Sequence, residues 1–181
     1  PFMPLPKPLL TGTMHDYGIG ALVDLPAPEP AVPSERRLMN LTLPPWQRPE
    51  VWSADQKRRF VEGIWLGLGT GYYVVHGSDW DDAGNPKPMS GWLLDGQQRI
   101  SALRDFLSGD MVIFGDVRFA DLSVPDQMRF KRRPFPRHEL DYTDNEDTLK
   151  ELYDRLNFGG TPHTEAQRVL PSQPIQNEVF A

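Results

Sequence analysis

The sequence predicts an α+β fold, a small mixed sheet flanked by helices within one domain. Two observations carry this. Segments with helical apolar spacing (53–68, 97–107 and 146–156) alternate with short β-rich runs (72–76, 92–94 and 111–119). A chain of 181 residues is also about the size of one domain, long enough for a real core.

Composition narrows the function classes. With 19 Lys+Arg against 25 Asp+Glu the net charge is −6, which argues against a wholly nucleic-acid-binding surface but leaves room for local basic patches. There is no cysteine, so disulfides, thiolate metal sites and a cysteine nucleophile are excluded. The longest uncharged run, Gly63 to Ser78, is too short and too rich in glycine to span a bilayer, and no signal-peptide core is visible. No membrane association is expected, and the cytoplasm is the expected location. Met3 reads as an initiator, so Pro1 and Phe2 are set aside.

Residues 1–35 read as a proline-rich arm. Pro26, Pro28, Pro30 and Pro33 favour extended chain, while Leu9, Leu10, Ile19, Leu22, Val23 and Leu25 let it lie against the body. Residues 36–170 form the expected domain, and 171–181 a poorly ordered tail. Within the domain, Leu41 to Trp52 is an extended segment stiffened by Pro44, Pro45 and Pro49. It holds Gln47 and Arg48 just before a helix, where Arg48 is aimed at an anionic ligand or pairs with Glu50 at the surface. Ser53 and Gln56 form a capping box, and Phe60, Val61, Ile64, Trp65 and Leu68 give a face opposite Lys57, Arg58 and Glu62.

Tyr72 to His76 is a strand, with His76 a weak site candidate at its end. The loop to Ser90 carries Asp79, Asp81 and Asp82, but without a calcium-loop spacing it reads as solvated rather than metal-binding. Trp92-Leu93-Leu94 then forms a buried strand, Asp95-Gly96 a tight turn, and Ile100, Leu103 and Leu107 one face of a helix ending at Gly109. Glycine admits a close ligand, and the first helical amides carry partial positive charge, so the junction suits phosphate. Gln97, Gln98 and Arg99 add donors. Asp95 is either the helix cap or the group that handles a proton or a metal ion.

Met111–Phe114 and Val117–Phe119 read as a hairpin around Gly115-Asp116, followed by a short helix from Pro125. Arg129, Lys131, Arg132, Arg133 and Arg137, interleaved with Phe130 and Phe135, form either a DNA-binding patch or a solvated face balanced by the acidic stretch after it. Thr143 and Glu146 form a second capping box, opening a helix with Leu149, Leu152, Tyr153 and Leu156 on one face. That helix stops at Gly159-Gly160, and Thr161-Pro162 restarts one. The junction Asn157, Gly159, Gly160, Thr161 either completes a ligand pocket or is a plain turn.

Three segments in this order resemble the N-terminal domain of GmrSD-type restriction endonucleases. They are Pro45-Trp46-Gln47-Arg48-Pro49-Glu50-Val51-Trp52, Leu94-Asp95-Gly96-Gln97-Gln98-Arg99 and Tyr153-Asp154-Arg155-Leu156-Asn157-Phe158-Gly159-Gly160-Thr161. The resemblance implies a ParB/sulfiredoxin-like fold and hydrolysis or transfer of the γ-phosphate of ATP, GTP or CTP, with Mg²⁺ held through Asp95. It implies nucleotide binding by Gln47, Arg48, Gly96, Gln97, Gln98 and Arg99, with Asp95 and Arg99 catalytic. It also implies a link to DNA modification or restriction, in which a kinase of a hydroxymethylated DNA base is one activity. The alternative is a nucleotide-sensing or DNA-binding module without chemistry. Trp46 and Glu50 stand where the family commonly has tyrosines. The chain lacks a paired histidine–asparagine cluster of the HNH type, so no nuclease activity of its own is expected.

Overall fold

The computed structural model describes residues 2–27 and 32–158. In order the elements are β1 (Gly12–His15), α1 (Ala21–Asp24), β2 (Arg37–Leu38), β3 (Leu41–Thr42), α2 (Ala54–Trp65), β4 (Tyr73–His76), β5 (Leu93–Asp95), α3 (Gln97–Ser108), α4 (Val124–Lys131), β6 (Arg137–Leu140) and α5 (Glu146–Phe158). Four of the strands build one sheet in the order β1-β6-β4-β5. The β4–β6 pair is parallel, while β1–β6 and β4–β5 are antiparallel. The expected α+β class with a small mixed sheet is what the chain adopts.

Side chains alternate across this sheet, so its two faces feed two apolar clusters. Tyr73, Val75 and Leu93 point into the larger one, with Val61 and Ile64 of α2, Ile100, Leu103 and Phe106 of α3, and Phe130 of α4. Val74, Leu94 and Leu140 point the other way, onto Leu149 of α5 with Trp92 and Met89. Both faces are covered. Ahead of the body, residues 12–15 pair with β6 as an edge strand, and Ile19 and Leu22 are buried; Leu9 and Val23 stay exposed.

The capping box at Ser53 and Gln56 forms as expected, both reciprocal bonds being present. Four other expectations are corrected. The helix it opens ends at Trp65, leaving Leu68 exposed. Lys57 is buried rather than solvated, its Nζ lying 2.7 Å from Glu50 and 3.0 Å from Asp105. Periodicity identifies the face of α2 that meets the core, but not the flank that meets α3. Burial opposes the Lys57 charge, yet the two carboxylates outweigh it and raise its pKa.

Instead of a hairpin, residues 111–119 make a single bridge in which Ile113 and Val117 exchange two 2.9 Å bonds. Phe119 then turns into the core against Phe106 and Phe130, which ends the pairing. The cap of α5 is Asn145, whose side chain accepts from Asp147 and Thr148 backbone amides at 3.1 and 3.4 Å. The Thr143 hydroxyl is occupied elsewhere, accepting from the Asn145 amide at 3.2 Å, while its own amide donates to His76 Nε2. No helix among the described residues is long and apolar enough to cross a membrane.

Candidate functional site

The junction of β5 and α3 is built around Gly96, whose φ of 114° lies in the left-handed region. A Cβ there would stand 2.7 Å from Tyr73 Cβ in the neighbouring strand, so both the backbone and the packing require glycine. Gly96 is also the N-cap, and no side chain caps the helix. The cap reading of Asp95 is therefore corrected. Its carboxylate precedes the cap and accepts from the Gly96 amide, while the amides of the first turn of α3 stay uncapped by any side chain.

Those amides open on a cavity of about 190 Å³. Its floor is Asp95, Gly96, Gln97, Gln98 and Arg99; Arg48 and Trp52 form one wall, and Tyr153, Leu156 and Asn157 of α5 the other. The walls are held by hydrogen bonds to main chain. Gln98 Oε1 accepts from the amides of Val51 and Trp52 at 3.1 and 3.0 Å, fixing the segment that carries Arg48. Tyr153 Oη accepts from the Arg48 amide at 2.9 Å. Asn157 Nδ2 donates to the carbonyls of Leu94 and Tyr153 at 2.9 and 2.7 Å, pinning α5 to β5.

Arg99 has partners of its own. Nη1 donates to Thr70 O and Nη2 to Tyr72 O, both at 2.8 Å, and the guanidinium lies 5.7 Å from the Phe135 ring centre. Its Nη2 is also 3.8 Å from Asp95. Burial raises the Asp95 pKa above the ordinary carboxylate value, opposed by Arg99, the Gly96 amide and Arg48. A carboxylate so placed is a better proton acceptor than an ordinary one.

The family described as GmrSD restriction endonuclease, N-terminal domain, matches residues 34–169. This chain belongs to that family. The membership ties it to restriction systems. No curated protein and no solved structure matches it.

Within this GmrSD N-terminal domain the cavity gathers Arg48, Asp95, Gly96, Gln97, Gln98, Arg99 and Asn157 from three separate parts of the chain. Gln47 is not among its walls; its Oε1 is buried with no hydrogen-bond partner among the described residues. Gly159, Gly160 and Thr161 lie outside the described residues. Trp52 and Tyr153 line the cavity although their spacing suggests only core. The one sequence signal for them is their place inside the two flanking motifs.

His76 stands apart. Its Nδ1 is 2.7 Å from Met89 O and its Nε2 accepts from the Thr143 amide at 2.9 Å, which fixes a neutral ring. Burial lowers its pKa, against the Met89 bond that raises it. The five basic residues of 129–137 do not make one patch. Arg129 pairs with Asp126 at 2.7 Å, Lys131 lies over the Phe119 ring, and Arg137 is buried beside Glu139. Arg132 and Arg133 border different hollows. In the acidic loop Asp79 pairs with Lys87 at 2.6 Å, and Asp81 accepts from the amides of Ala83 and Asn85. Among the described residues no three His, Asp or Glu side chains gather as a metal site would require.

Proposed function

We propose that this GmrSD N-terminal domain binds a nucleoside triphosphate with its phosphates against the start of α3, and hydrolyses or transfers the γ-phosphate in the service of DNA restriction or modification. The observation that carries the reading is the uncapped start of α3 opening on a walled cavity with Arg48 opposite. A volume of about 190 Å³ suits the phosphate chain rather than a whole nucleotide, so base and ribose extend outward past Trp52 and Leu156.

Phosphoryl transfer needs placement and charge neutralisation more than covalent help from the protein. The helical amides, Gln97 and Arg48 hold and neutralise phosphate oxygens. Arg99 adds charge while its two main-chain bonds keep it beside Asp95. An acceptor hydroxyl, from water, a hydroxymethylated DNA base or a small alcohol, attacks the γ-phosphorus as the β–γ bridging oxygen leaves with its electron pair. Asp95 takes the proton. A single carboxylate beside bound phosphates fits the habit of Mg²⁺, which keeps several waters, and Mg²⁺ there would offset charge on the β and γ oxygens.

A second reading, nucleotide sensing without turnover, is favoured by the commitment of two Arg99 nitrogens to carbonyls. Single-turnover assays with each labelled nucleotide, with and without DNA, separate the two. The enzyme reading expects turnover in the native chain and binding without turnover in Asp95→Asn. Binding without turnover in both chains supports sensing, and no binding of any nucleotide ends both readings.

A further inference from the structure

Arg48 and Trp52, which wall the α3 cavity, ride on a strap between residues 43 and 53 that is neither helix nor strand. Such a segment has no backbone ladder of its own, so side chains from elsewhere must hold it. Gln98 and Tyr153 grip its amides from the cavity, and near its start Trp46 Nε1 donates to Glu146 at 2.9 Å. A further anchor, Glu50, stands outside the cavity walls.

Both carboxylate oxygens of Glu50 are engaged. Oε2 accepts from Lys57 Nζ at 2.7 Å, and Oε1 accepts from Arg104 Nη2 at 3.2 Å. The same two cations meet Asp105, Lys57 Nζ at Oδ2 and Arg104 Nε at Oδ1, each at 3.0 Å. The four side chains close a ring of alternating charge, which bolts the strap to α2 through Lys57 and to α3 through Arg104 and Asp105. None of the four lines the cavity. Burial opposes the charges of Glu50 and Lys57, yet their mutual bond and the other ring members outweigh it, so the Glu50 pKa is lowered and that of Lys57 raised. With two charges of each sign the ring sums to zero, so its effect on the cavity is geometric. It also takes Glu50, two residues on from Arg48, out of competition for the Arg48 charge, which bears on Asp95 instead.

We propose that Glu50 is a positioning residue for the α3 cavity: through the ring it fixes the strap, and so sets Arg48 and Trp52 against the start of α3. The ligand in this proposal rests on the nucleotide reading above; the mechanics rest on the ring alone.

The test uses the full chain and Glu50→Gln, which keeps the shape of the side chain, removes its charge and leaves Lys57 paired with Asp105. Amide hydrogen exchange without nucleotide reads the strap directly. The Val51 and Trp52 amides, bonded to Gln98, are expected to exchange faster by about 3- to 10-fold, as for the loss of a contact within a partly exposed charge network. Titration with the non-hydrolysable β,γ-imido analogues of ATP, GTP and CTP, each with Mg²⁺, reads the site. Removing a negative charge near a polyanion would by Coulomb attraction alone tighten binding. The positioning role expects the opposite sign, a weakening of about 3- to 10-fold. That weakening should vanish in an Arg48→Ala background, because Glu50 acts through Arg48, and Glu50→Asp, which keeps the charge, should recover part of it. A purely structural role would lower the melting temperature and leave the affinity of the folded protein unchanged. The proposal is overturned if the Val51 and Trp52 amides keep native exchange rates, if Glu50→Gln binds as tightly as the native chain or tighter, or if its loss adds in full to that of Arg48→Ala. If the native chain binds none of the analogues, the nucleotide reading falls by itself, and the exchange rates decide whether the ring holds the strap.

Discussion

Removing the Arg99 guanidinium should cost stability before it costs chemistry. Arg99→Ala deletes two charge-assisted bonds of 2.8 Å to the carbonyls of Thr70 and Tyr72 and the contact over Phe135. Hydrogen bonds of a charged group contribute about 1.5–3 kcal/mol each. The Tyr72 carbonyl is close to solvent, where water can replace the lost donor, so its bond counts toward the low end. The sum is about 2–4 kcal/mol, and at roughly 2–4 °C per kcal/mol for a chain of this size the midpoint should fall by roughly 5–15 °C. Arg99→Lys keeps the charge but reaches at most one of the two carbonyls, and should fall between. Urea and thermal denaturation measure both, with Gln97→Ala, which lines the same cavity, as a control expected near the native value. Should Arg99→Ala unfold within about 0.5 kcal/mol of the native chain, the two carbonyl contacts carry no weight and Arg99 is free to serve a ligand alone.

Asp95→Asn should stabilise the protein at neutral pH. Burial raises the folded-state pKa of Asp95, so its ionised form opposes folding above that pKa, and the penalty fades as pH falls toward the ordinary carboxylate value. Denaturation at about pH 7 and about pH 4 should show the gain at the first and little at the second; an equal gain at both pH values contradicts the assignment. Gly96→Ala combines a left-handed φ of 114° with a 2.7 Å approach to Tyr73 Cβ and should cost about 3 kcal/mol or more. A near-native melting curve for it would mean that the β5–α3 turn relaxes freely. Asn145→Ala should cost about 1 kcal/mol through loss of the α5 cap. If Thr143→Ala cost more, Thr143 rather than Asn145 would be the cap.

Much of the architecture is local enough to be legible in the residues. Ser53 and Gln56 cap α2 because the two partners lie within one turn of each other. The strand–turn–helix at 93–108 follows from an apolar run, a glycine and a helical face, all read within sixteen residues. The second cap lies two residues beyond Thr143: the Thr143 hydroxyl accepts from the Asn145 amide rather than from a helical one, and Asn145 starts the helix, while His76, far back in the sequence, holds the Thr143 amide. The surroundings of the basic run 129–137 are likewise set by distant segments, since α4 turns Lys131 onto Phe119 and β6 buries Arg137.

The sequence by itself determined that a donor-rich turn sits between β5 and α3, because torsion preferences and apolar spacing act over a few residues. Only the tertiary structure decided what each donor faces. Gln98 and Arg99 are adjacent and both polar, yet one grips the backbone at Val51 and Trp52 and the other at Thr70 and Tyr72. Long side chains take the nearest unsatisfied main-chain group, and which group is nearest depends on how segments about 30 to 50 residues apart are packed.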